Sequence, residues 1–323
     1  MTVTAGVVDP SGNSSSDSDS VSHDSVLPAV AITDNDSGGD DVYNDAEDNS
    51  VVVVGTTDVA DGTTITVTFS DGVNADVVTT ASSSGGNWTA TAADIGSLNQ
   101  GALTLTAEVD DPAGNTASVS ESPTKDTVGY SIAISSNDSG GDNLYNDSED
   151  NSVVVTGTTN APDGTSISIS FSDGVNAPVI VAATAGGGSW TATAADLATL
   201  NQGAITLTAS VVDAVGNIGA AVNNVTRDSI APSLAIGNNG SGGDDIYNAA
   251  EEGAVVVSGS SNAENGQSVS VTFSDGVNVD VVVSGNVSGG SWTAAAADIS
   301  SLNNGNITLS VDVDDLAGNA ATQ

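Results

Sequence analysis

The sequence contains no cysteine, so no disulfide framework can hold the fold together. Basic residues are nearly absent as well: Lys125, Arg227 and His23 are the only Lys, Arg and His, against 42 Asp and Glu, and the formal net charge is −40. Nucleic acid is excluded as a partner because phosphate binding needs clustered Lys and Arg. Anionic membrane surfaces are disfavoured for the same reason. The charge favours cations as partners, or a very salty medium.

Long hydrophobic runs and aromatic residues are also scarce. No apolar run approaches the ~20 residues that a membrane helix needs, which predicts no direct membrane insertion. The first residues, MTVTAGVVDPSGN, have neither the basic nor the apolar region of a Sec signal peptide. Aromatic residues make up 3% of the chain, so we expect cores built mainly from Val, Ile, Leu and Ala. Their strand-like patterning argues against disorder despite the acidity.

Three sequence markers recur with a common period of 102 residues. They are the tryptophans at 88, 190 and 292, the SGGD motifs that begin at 37, 139 and 241, and the FSDGVN motifs that begin at 69, 171 and 273. Markers that share one register indicate tandem repeats. We predict the C-terminal strand and linker of a preceding repeat at 1–27, then repeat 1 at 28–129, repeat 2 at 130–231 and repeat 3 at 232–323, with its last strand truncated.

Each repeat has the pattern of an all-β domain. Turn sequences such as ADG, SDGVN and NQG separate seven predicted strands, which in repeat 1 are 29–33, 50–57, 63–70, 75–82, 87–93, 102–109 and 116–122. This number of short strands is typical of an immunoglobulin-like β-sandwich. The predicted fold is therefore a series of such sandwiches arranged end to end. One tryptophan per repeat on a strand favours a core position over a carbohydrate-stacking surface.

The acidic residues gather in three places in each repeat. One is the long loop after the first strand, at 34–48, 136–150 and 238–252. Another is a DxxGN turn, found in DDPAGN (110–115), VDAVGN (212–217) and DDLAGN (314–319). The third is the segment between repeats, HDSVLP (23–28), KDTVGY (125–130) and RDSIAP (227–232), where the three basic residues each precede an Asp. A DxxGN motif alone is a good turn, and only its recurrence with the other clusters points to a site.

The path of a sandwich predicts where these clusters meet. If strands alternate up and down, the acidic loop and exit linker of one repeat face the DxxGN turn of the next. In the alternative, the long loop folds back and closes a site within its own repeat. The first arrangement groups these candidate ligands: Asp40, Asn44 and Glu47 with Asp126 and Asp213 at the first complete junction; Asp142, Asn146 and Glu149 with Asp228 and Asp315 at the next; Asp24 with Asp111 at the truncated first junction; and Asp244, Asn248 and Glu251 in the loop of repeat 3.

Carboxylates crowded at a junction repel one another unless a cation neutralises them, and Ca²⁺ suits these residue types best. Calcium takes about six to eight oxygen ligands from carboxylates, amides and backbone carbonyls in flexible geometry. Magnesium demands a tighter octahedron, and transition metals favour His or Cys. We therefore predict calcium ions at the junctions, where they would cross-link neighbouring repeats of the same chain and stiffen the linker.

The ordered set of motifs resembles a known family. DNLYNDSE (142–149), the GGSW strand at 187–190, VDAVGN and RDSIAP are similar to tandem bacterial Ig-like repeats from the extender regions of giant RTX-type and biofilm-associated adhesins, which type I systems secrete. The resemblance implies a monomeric, extracellular, calcium-stiffened stalk that projects a binding tip for cell adhesion from a bacterial surface. Repeat 3 departs from the pattern with Gly240 in place of Asp36 and Asp138, so that position cannot supply an essential ligand.

Other functions are weighed against the stalk. An enzyme is disfavoured because no sequence feature places a carboxylate pair in a cleft and the repeats lack a recurrent His or Lys base. A ligand-binding adhesin module would break the period with insertions, and the three copies contain none. An acidic surface-layer or halophilic protein without specific calcium sites would spread its acids over the strands, whereas here they gather at the ends of each copy.

Overall fold

The computed structural model describes all 323 residues, and every regular element in it is a β-strand. No helix in the chain combines the length and apolarity needed to cross a membrane. Tertiary contacts divide the chain into two compact units: residues 1–129 together with 212–218, and residues 130–211 together with 219–323.

The first two strands form an isolated hairpin. β1 (Thr2–Val8) pairs with β2 (Ser14–Ser20) in antiparallel register, and every residue of both strands is exposed. The hairpin therefore contributes no core of its own. One strand and a linker were expected at 1–27, and their assignment to a preceding repeat stays a prediction.

Repeat 1 is built from short strands that form three sheets. The strands are β3 (Val30–Asp34), β4 (Val42–Tyr43), β5 (Val54–Thr57), β6 (Thr64–Ser70), β7 (Val77–Ser82), β8 (Asn87–Thr89), β9 (Gly101–Ala102), β10 (Thr104–Asp110), β11 (Thr116–Glu121) and β12 (Thr124–Lys125). One sheet has the order β3-β5-β8, a second has the order β11-β10-β6-β7, and a small third sheet has the order β4-β12-β9. One hydrophobic cluster joins residues from all three sheets, so they enclose a common core.

Repeat 2 has the same plan with longer closing strands. Its strands are β13 (Ile132–Ser136), β14 (Leu144–Tyr145), β15 (Thr156–Thr159), β16 (Ser166–Ser172), β17 (Val179–Thr184), β18 (Ser189–Thr191), β19 (Gly203–Val212) and β20 (Ile218–Arg227). They form the sheets β13-β15-β18 and β14-β20-β19-β16-β17.

Repeat 3 keeps the two main sheets. Its strands are β21 (Leu234–Asn238), β22 (Ser258–Ser261), β23 (Ser268–Ser274), β24 (Val281–Asn286), β25 (Ser291–Thr293), β26 (Thr308–Asp314) and β27 (Ala320–Thr322). The sheets are β21-β22-β25 and β24-β23-β26-β27. Nothing in repeat 3 corresponds to the strand pairs that β4 and β14 make with β12 and β20.

Strand alternation places the core residues. In β6 the apolar side chains of Ile65, Val67 and Phe69 are fully buried, and the Thr residues between them are exposed or half-buried. The three tryptophans are only 2–3% exposed, which confirms their predicted core position. Trp88 packs against Gly55 of the neighbouring strand β5, where the missing Cβ leaves room for the indole ring.

The fold is an all-β, immunoglobulin-like sandwich in each repeat, as the sequence predicted, and one buried hydrophobic cluster lies within each predicted repeat. The boundaries at 27, 129 and 231 stay a prediction. Individual strands differ from those expected: regular pairing in the segment 50–57 begins only at Val54. The two-residue strands β4 and β12 were not expected, because they pair in parallel across the sequence and carry no alternation signal of their own.

Candidate functional site at the repeat junctions

The DxxGN motif folds as a compact turn around its aspartate. Asp213 Oδ1 accepts hydrogen bonds from the backbone N–H of Val215 at 3.0 Å and of Asn217 at 2.9 Å. Its Oδ2 accepts from the Asn217 side-chain amide at 3.0 Å. Gly216 has a φ of 97°, a left-handed conformation that favours glycine. The motif thus specifies its own shape through contacts within five residues.

The asparagine that closes the turn also reaches the preceding repeat. Asn217 Nδ2 donates to the backbone carbonyl of Asp126 at 2.8 Å, and Asn217 Oδ1 accepts from the N–H of Asp45 at 2.9 Å. A third bond runs in the other direction, because Asn44 Nδ2 donates to the carbonyl of Val215 at 2.9 Å. Asn217 is 3% exposed, so these bonds are made away from solvent, where polar groups need partners.

The same three contacts recur one period later. Asn319 Nδ2 donates to the carbonyl of Asp228 at 2.7 Å, Asp147 N–H donates to Asn319 Oδ1 at 2.9 Å, and Asn146 Nδ2 donates to the carbonyl of Ala317 at 3.0 Å. Asn319 is 5% exposed. The first set of contacts lies within the first compact unit and the second set within the second unit. Matching residues make matching contacts, so the junction is encoded by the repeat itself.

The acidic loop presents its asparagine through local hydrogen bonds. Glu47 Oε2 accepts from the backbone N–H of Asn44 at 3.1 Å, and Asn44 Oδ1 accepts from the N–H of Ala46 at 2.9 Å. Buried Tyr43, directly before Asn44, donates its hydroxyl to the carbonyl of Asn35 at 2.7 Å and so holds the loop closed on itself. These bonds leave the NH2 group of the Asn44 side chain available to donate to the DxxGN turn at 212–217.

Hydrogen bonding also lowers the pKa of the Asp213 carboxyl group in the turn. Burial raises the pKa of Asp213, but the hydrogen bonds from the Asn217 side chain and from the backbone N–H groups of Asn217 and Val215 outweigh it. The pKa of this carboxyl therefore lies below its ordinary value, and the group is ionised at neutral pH. An ionised Asp213 accepts stronger hydrogen bonds and adds a negative charge at the junction.

The structure joins most, but not all, of the predicted junction residues. Asn44, Glu47, Asp126 and Asp213 belong to one hydrogen-bonded set, with Asp126 taking part through its backbone carbonyl. Asn146, Glu149, Asp228 and Asp315 form the equivalent set. The other predicted acidic ligand of each loop makes a local bond instead. These residues are Asp40, Asp142 and Asp244, and each accepts from the backbone N–H two residues ahead.

Two other predicted groups have no docked partner. Asp24 accepts only from the N–H of Val26, and Asp111 only from its own DxxGN turn, so no hydrogen bond joins them. In repeat 3, Asn248 and Glu251 keep the local geometry of the loop, without a following turn in contact. Hydrogen bonds between an acidic loop and a later turn thus occur at the two junctions where both elements are present, and the assignment of these residues as ligands stays a prediction.

The residues that bridge the repeats were not among the predicted ligands. Asn217 and Asn319 make two of the three cross-junction bonds, and Asp45 and Asp147 take part through their backbone N–H groups. The sequence did contain a signal for this bridging role, because an asparagine closes the DxxGN motif in every copy. The sequence interpretation gave weight to the charged residue of the motif and treated the amide as part of a turn.

The chemistry of the junction suits a hard cation, although the side chains do not form a closed cage. No group of three or more His, Cys, Asp or Glu side chains converges closely enough to hold a metal ion. The available donors are nevertheless all oxygens, and the carboxylate of Asp45 and Glu47 Oε1 accept no hydrogen bond from the chain. Such oxygens fit calcium, which accepts carboxylate and carbonyl ligands in flexible geometry and completes its shell with water.

Comparison with known proteins adds structural neighbours. No protein-family model and no curated protein matches the chain. Among solved structures, the tetra-tandem repeat from the extending region of a large adhesion protein is 25% identical, with 99% of this chain and 79% of that chain covered and a TM-score of 0.37. A Ca²⁺-stabilised adhesin with which an Antarctic bacterium binds ice is 24% identical, with 100% and 79% covered and a TM-score of 0.40. A 1.5-MDa bacterial ice-binding adhesin, studied for its retention at the host cell surface, is 21% identical, with 93% and 96% covered and a TM-score of 0.36.

These neighbours are of the class that the sequence motifs resemble.

Proposed function

We propose that this chain is a calcium-stiffened extender segment in the stalk of a large bacterial surface adhesin. The observation that carries the proposal is the junction itself: the same three hydrogen bonds fix a DxxGN turn against the acidic loop and linker of the preceding repeat, in two places one period apart. A chain that only linked independent domains would not need a buried, fully hydrogen-bonded contact at each boundary. Repetition of such a contact would tie each repeat to the one before it by the same bonds, which is what a spacer requires.

Calcium has a specific part in this proposal. Asp45, Glu47, Asp126 and Asp213 lie on the hydrogen-bonded elements of one junction, and no basic side chain forms an ion pair with any of them. Their mutual repulsion opposes docking at low ionic strength. A calcium ion at the junction would offset this charge, with one or two of these carboxylates as direct ligands and with backbone carbonyls and water completing its shell. The corresponding residues at the second junction are Asp147, Glu149, Asp228 and Asp315.

The remaining parts of the proposal follow from the stalk. The segment would lie outside the cell, at the bacterial surface, as a single chain whose partners are calcium and its own neighbouring repeats. No catalytic role is assigned, because the perturbed carboxyl groups all serve turns. The binding tip would lie elsewhere in the adhesin.

Small-angle X-ray scattering of the full chain with calcium, and again after chelation at matched ionic strength, tests the proposal. We expect chelation to increase flexibility, with a smaller average radius of gyration and unchanged β-structure by circular dichroism. The variant Asp126→Ala separates the two contributions, because Asn217 bonds the backbone carbonyl of this residue and not its side chain. The variant should stay docked while losing part of the response to calcium. If the scattering of the parent is the same with and without calcium, the ion has no role in stiffening and the acids serve as solvating charge.

A further inference from the structure

Residues 123–126 of repeat 1 and 225–228 of repeat 2 form a short exit strand beside the acidic loop. In repeat 1 this strand contains β12, which runs parallel to β4 on one side and antiparallel to β9 on the other. The end of β20 makes the equivalent parallel pair with β14 in repeat 2. The chain thus enters each of these linkers from a parallel pair of only two residues.

A pair this short does not determine its own register. Pro123 and Lys125 of the exit strand are buried and Thr124 between them is exposed, so a shift by one residue would exchange the buried and exposed faces. A shift by two residues, with Thr127 at the place of Lys125, would keep the faces and let the main chain pair in the same way. The backbone therefore leaves the register open, and a side chain must decide it.

The side chain of Lys125 lies in a buried socket of oxygen atoms. The residue is 2% exposed, and its Nζ donates to the carbonyls of Ile95 at 2.9 Å, Gly96 at 3.1 Å and Leu98 at 3.1 Å. The same ammonium lies 3.1 Å from Asp48 Oδ2. The backbone carbonyl of Asp48 accepts from Ile95 N–H at 2.8 Å, which ties this residue to the turn that carries the three carbonyls. The socket thus has a fixed place in repeat 1 and fits a long side chain with several N–H donors.

Repeat 2 has the same socket around an arginine. Arg227 Nε and Nη2 each lie 2.7 Å from Asp150 Oδ2, and Nη1 donates to the carbonyl of Leu200 at 2.7 Å. Asp150 corresponds to Asp48, and Leu200 corresponds to Leu98. The only Lys and the only Arg of the chain therefore occupy one structural position, one period apart.

The residue that follows each cation makes the junction. Asp126 N–H donates to the carbonyl of Tyr43 at 3.0 Å, and the carbonyl of Asp126 accepts from Asn217 Nδ2 at 2.8 Å. Asp228 makes the corresponding two bonds at 2.9 Å and 2.7 Å. A change of register in the exit strand would take this carbonyl away from the asparagine of the DxxGN turn.

We propose that Lys125 and Arg227 are positioning residues for the junctions: each fixes the register of its exit strand and so sets the next carbonyl opposite the DxxGN asparagine. Stability alone does not require this arrangement, because well-packed apolar side chains often stabilise a core as much as a buried ion pair. A buried polar group with one matching site does specify register. The proposal rests on the docked junction of the proposed stalk and not on calcium, since Asp48 and Asp150 are not candidate ligands.

Moving the cation by two positions in the full chain tests the register directly. The variant is Lys125→Thr, Thr127→Lys, and amide hydrogen exchange followed by NMR reports which backbone groups are paired. In the parent, the N–H groups of Thr124 and Asp126 are bonded to the acidic loop. In the variant, exchange at Thr124 should become about tenfold faster and exchange at Val128 about tenfold slower, because one backbone hydrogen bond is lost or gained at each. The side-chain amide of Asn217 should lose its bond to Asp126.

Two further variants keep the composition of the linker. Lys125→Arg is the matched control, because Arg227 fills the same socket in repeat 2, and it should retain the exchange pattern of the parent. Lys125→Met, Asp48→Leu replaces the ion pair with apolar groups. We expect repeat 1 of this variant to fold, with exchange at Asp126 about tenfold faster, and we expect Asn217→Ala to have little additional effect on it.

Three results would overturn the proposal. One is a relocated lysine that leaves Thr124 and Asp126 as protected as in the parent, because the register would then not follow the cation. Another is parental exchange at Asp126 in the apolar double variant. The last is loss of the Asn217 contact in Lys125→Arg. Asn217→Ala in the parent background tests the docked junction separately, so a failure of the positioning role is distinguishable from a failure of the stalk.

Discussion

The side-chain amide of Asn217 donates to the backbone carbonyl of Asp126, 91 positions earlier in the chain, at 2.8 Å. The same pair recurs as Asn319 and Asp228 at 2.7 Å. An uncharged side chain, bonded to a backbone group, therefore makes the direct contact at each junction, within a cluster of acids whose charges repel. The hydrogen bonds that dock the repeats and the neutralisation of the carboxylates are therefore separate contributions to the junction, and different substitutions test them.

Replacing Asn217 with alanine should loosen the first junction and leave the flanking sandwiches folded. The change removes three hydrogen bonds. The two that cross the junction leave partner groups of Asp126 and Asp45 unsatisfied, a loss of about 1–3 kcal/mol in coupling between repeats. Limited proteolysis of the 125–130 linker should become faster, and thermal unfolding should separate into less cooperative transitions. Asn115→Ala is the matched control, because Asn115 bonds only Asp111 of its own turn. Equal effects of the two variants on linker cleavage would contradict the assigned role.

Replacing Gly157 with alanine should destabilise repeat 2. A Cβ at this position would collide with the carbonyl of Ala133 and with the ring of Trp190, so both the indole and the backbone of the paired strand would have to move. Overpacking of this kind costs about 1–3 kcal/mol, so calorimetry should show a lower melting temperature. Gly186→Ala is the control, since a Cβ there meets nothing within 4 Å. An unchanged melting temperature for Gly157→Ala would show that this packing is not tight.

Removing one partner of the buried ion pair in repeat 2 should lower the free energy of unfolding more than removing both partners. Arg227→Met leaves Asp150, 4% exposed, without its charged partner, and an uncompensated buried charge costs about 3–5 kcal/mol. The double variant Arg227→Met, Asp150→Asn should recover much of the loss. Urea unfolding of the four proteins in this cycle measures the coupling. If the double variant is as unstable as Arg227→Met alone, the cost comes from packing of the arginine stem and not from charge.

The FSDGVN loops should make stability sensitive to acid. The backbone N–H of Asn99, followed by those of Asn74 and Val73, donates to Asp71 and holds the pKa of this carboxyl well below its ordinary value of 3.8. Asp173 and Asp275 are bonded in the same way. A carboxyl whose pKa is depressed in the folded state stabilises the fold above the unfolded value, and this contribution is lost as pH falls below about 4.

The corresponding measurement is urea unfolding between neutral pH and pH 2 for the parent and for the triple variant Asp71→Asn, Asp173→Asn, Asp275→Asn. The variant should be less stable at pH 7 and should lose less stability on acidification. Parallel curves for the two proteins would rule out these carboxyls as the source of the acid sensitivity.

Much of the site was open to prediction because it depends on local or periodic features. The 102-residue period located the acidic loops, linkers and turns, and the alternation of loops between the two ends of a sandwich predicted that Asn44, Asp126 and Asp213 share one junction, where the structure links them by hydrogen bonds. The same reasoning could not fix the position of Asp40, because a loop of fifteen residues has many conformations; in the structure this carboxylate accepts from the N–H of Val42. The buried ion pairs of Lys125 with Asp48 and of Arg227 with Asp150 were missed. A basic residue beside an acidic linker looks exposed until the strand that carries it is paired on both sides.

The sequence by itself determined what depends on neighbours along the chain: the repeat, the strand faces that bury Ile65, Val67 and Phe69, and the DxxGN turn whose aspartate bonds residues two and four positions ahead. Only the tertiary structure decided which atoms meet across 91 or 171 positions. Such contacts depend on how two sheets close over a core and on which loop ends that closure brings together. No local pattern encodes that Asn217 bonds a carbonyl of the linker.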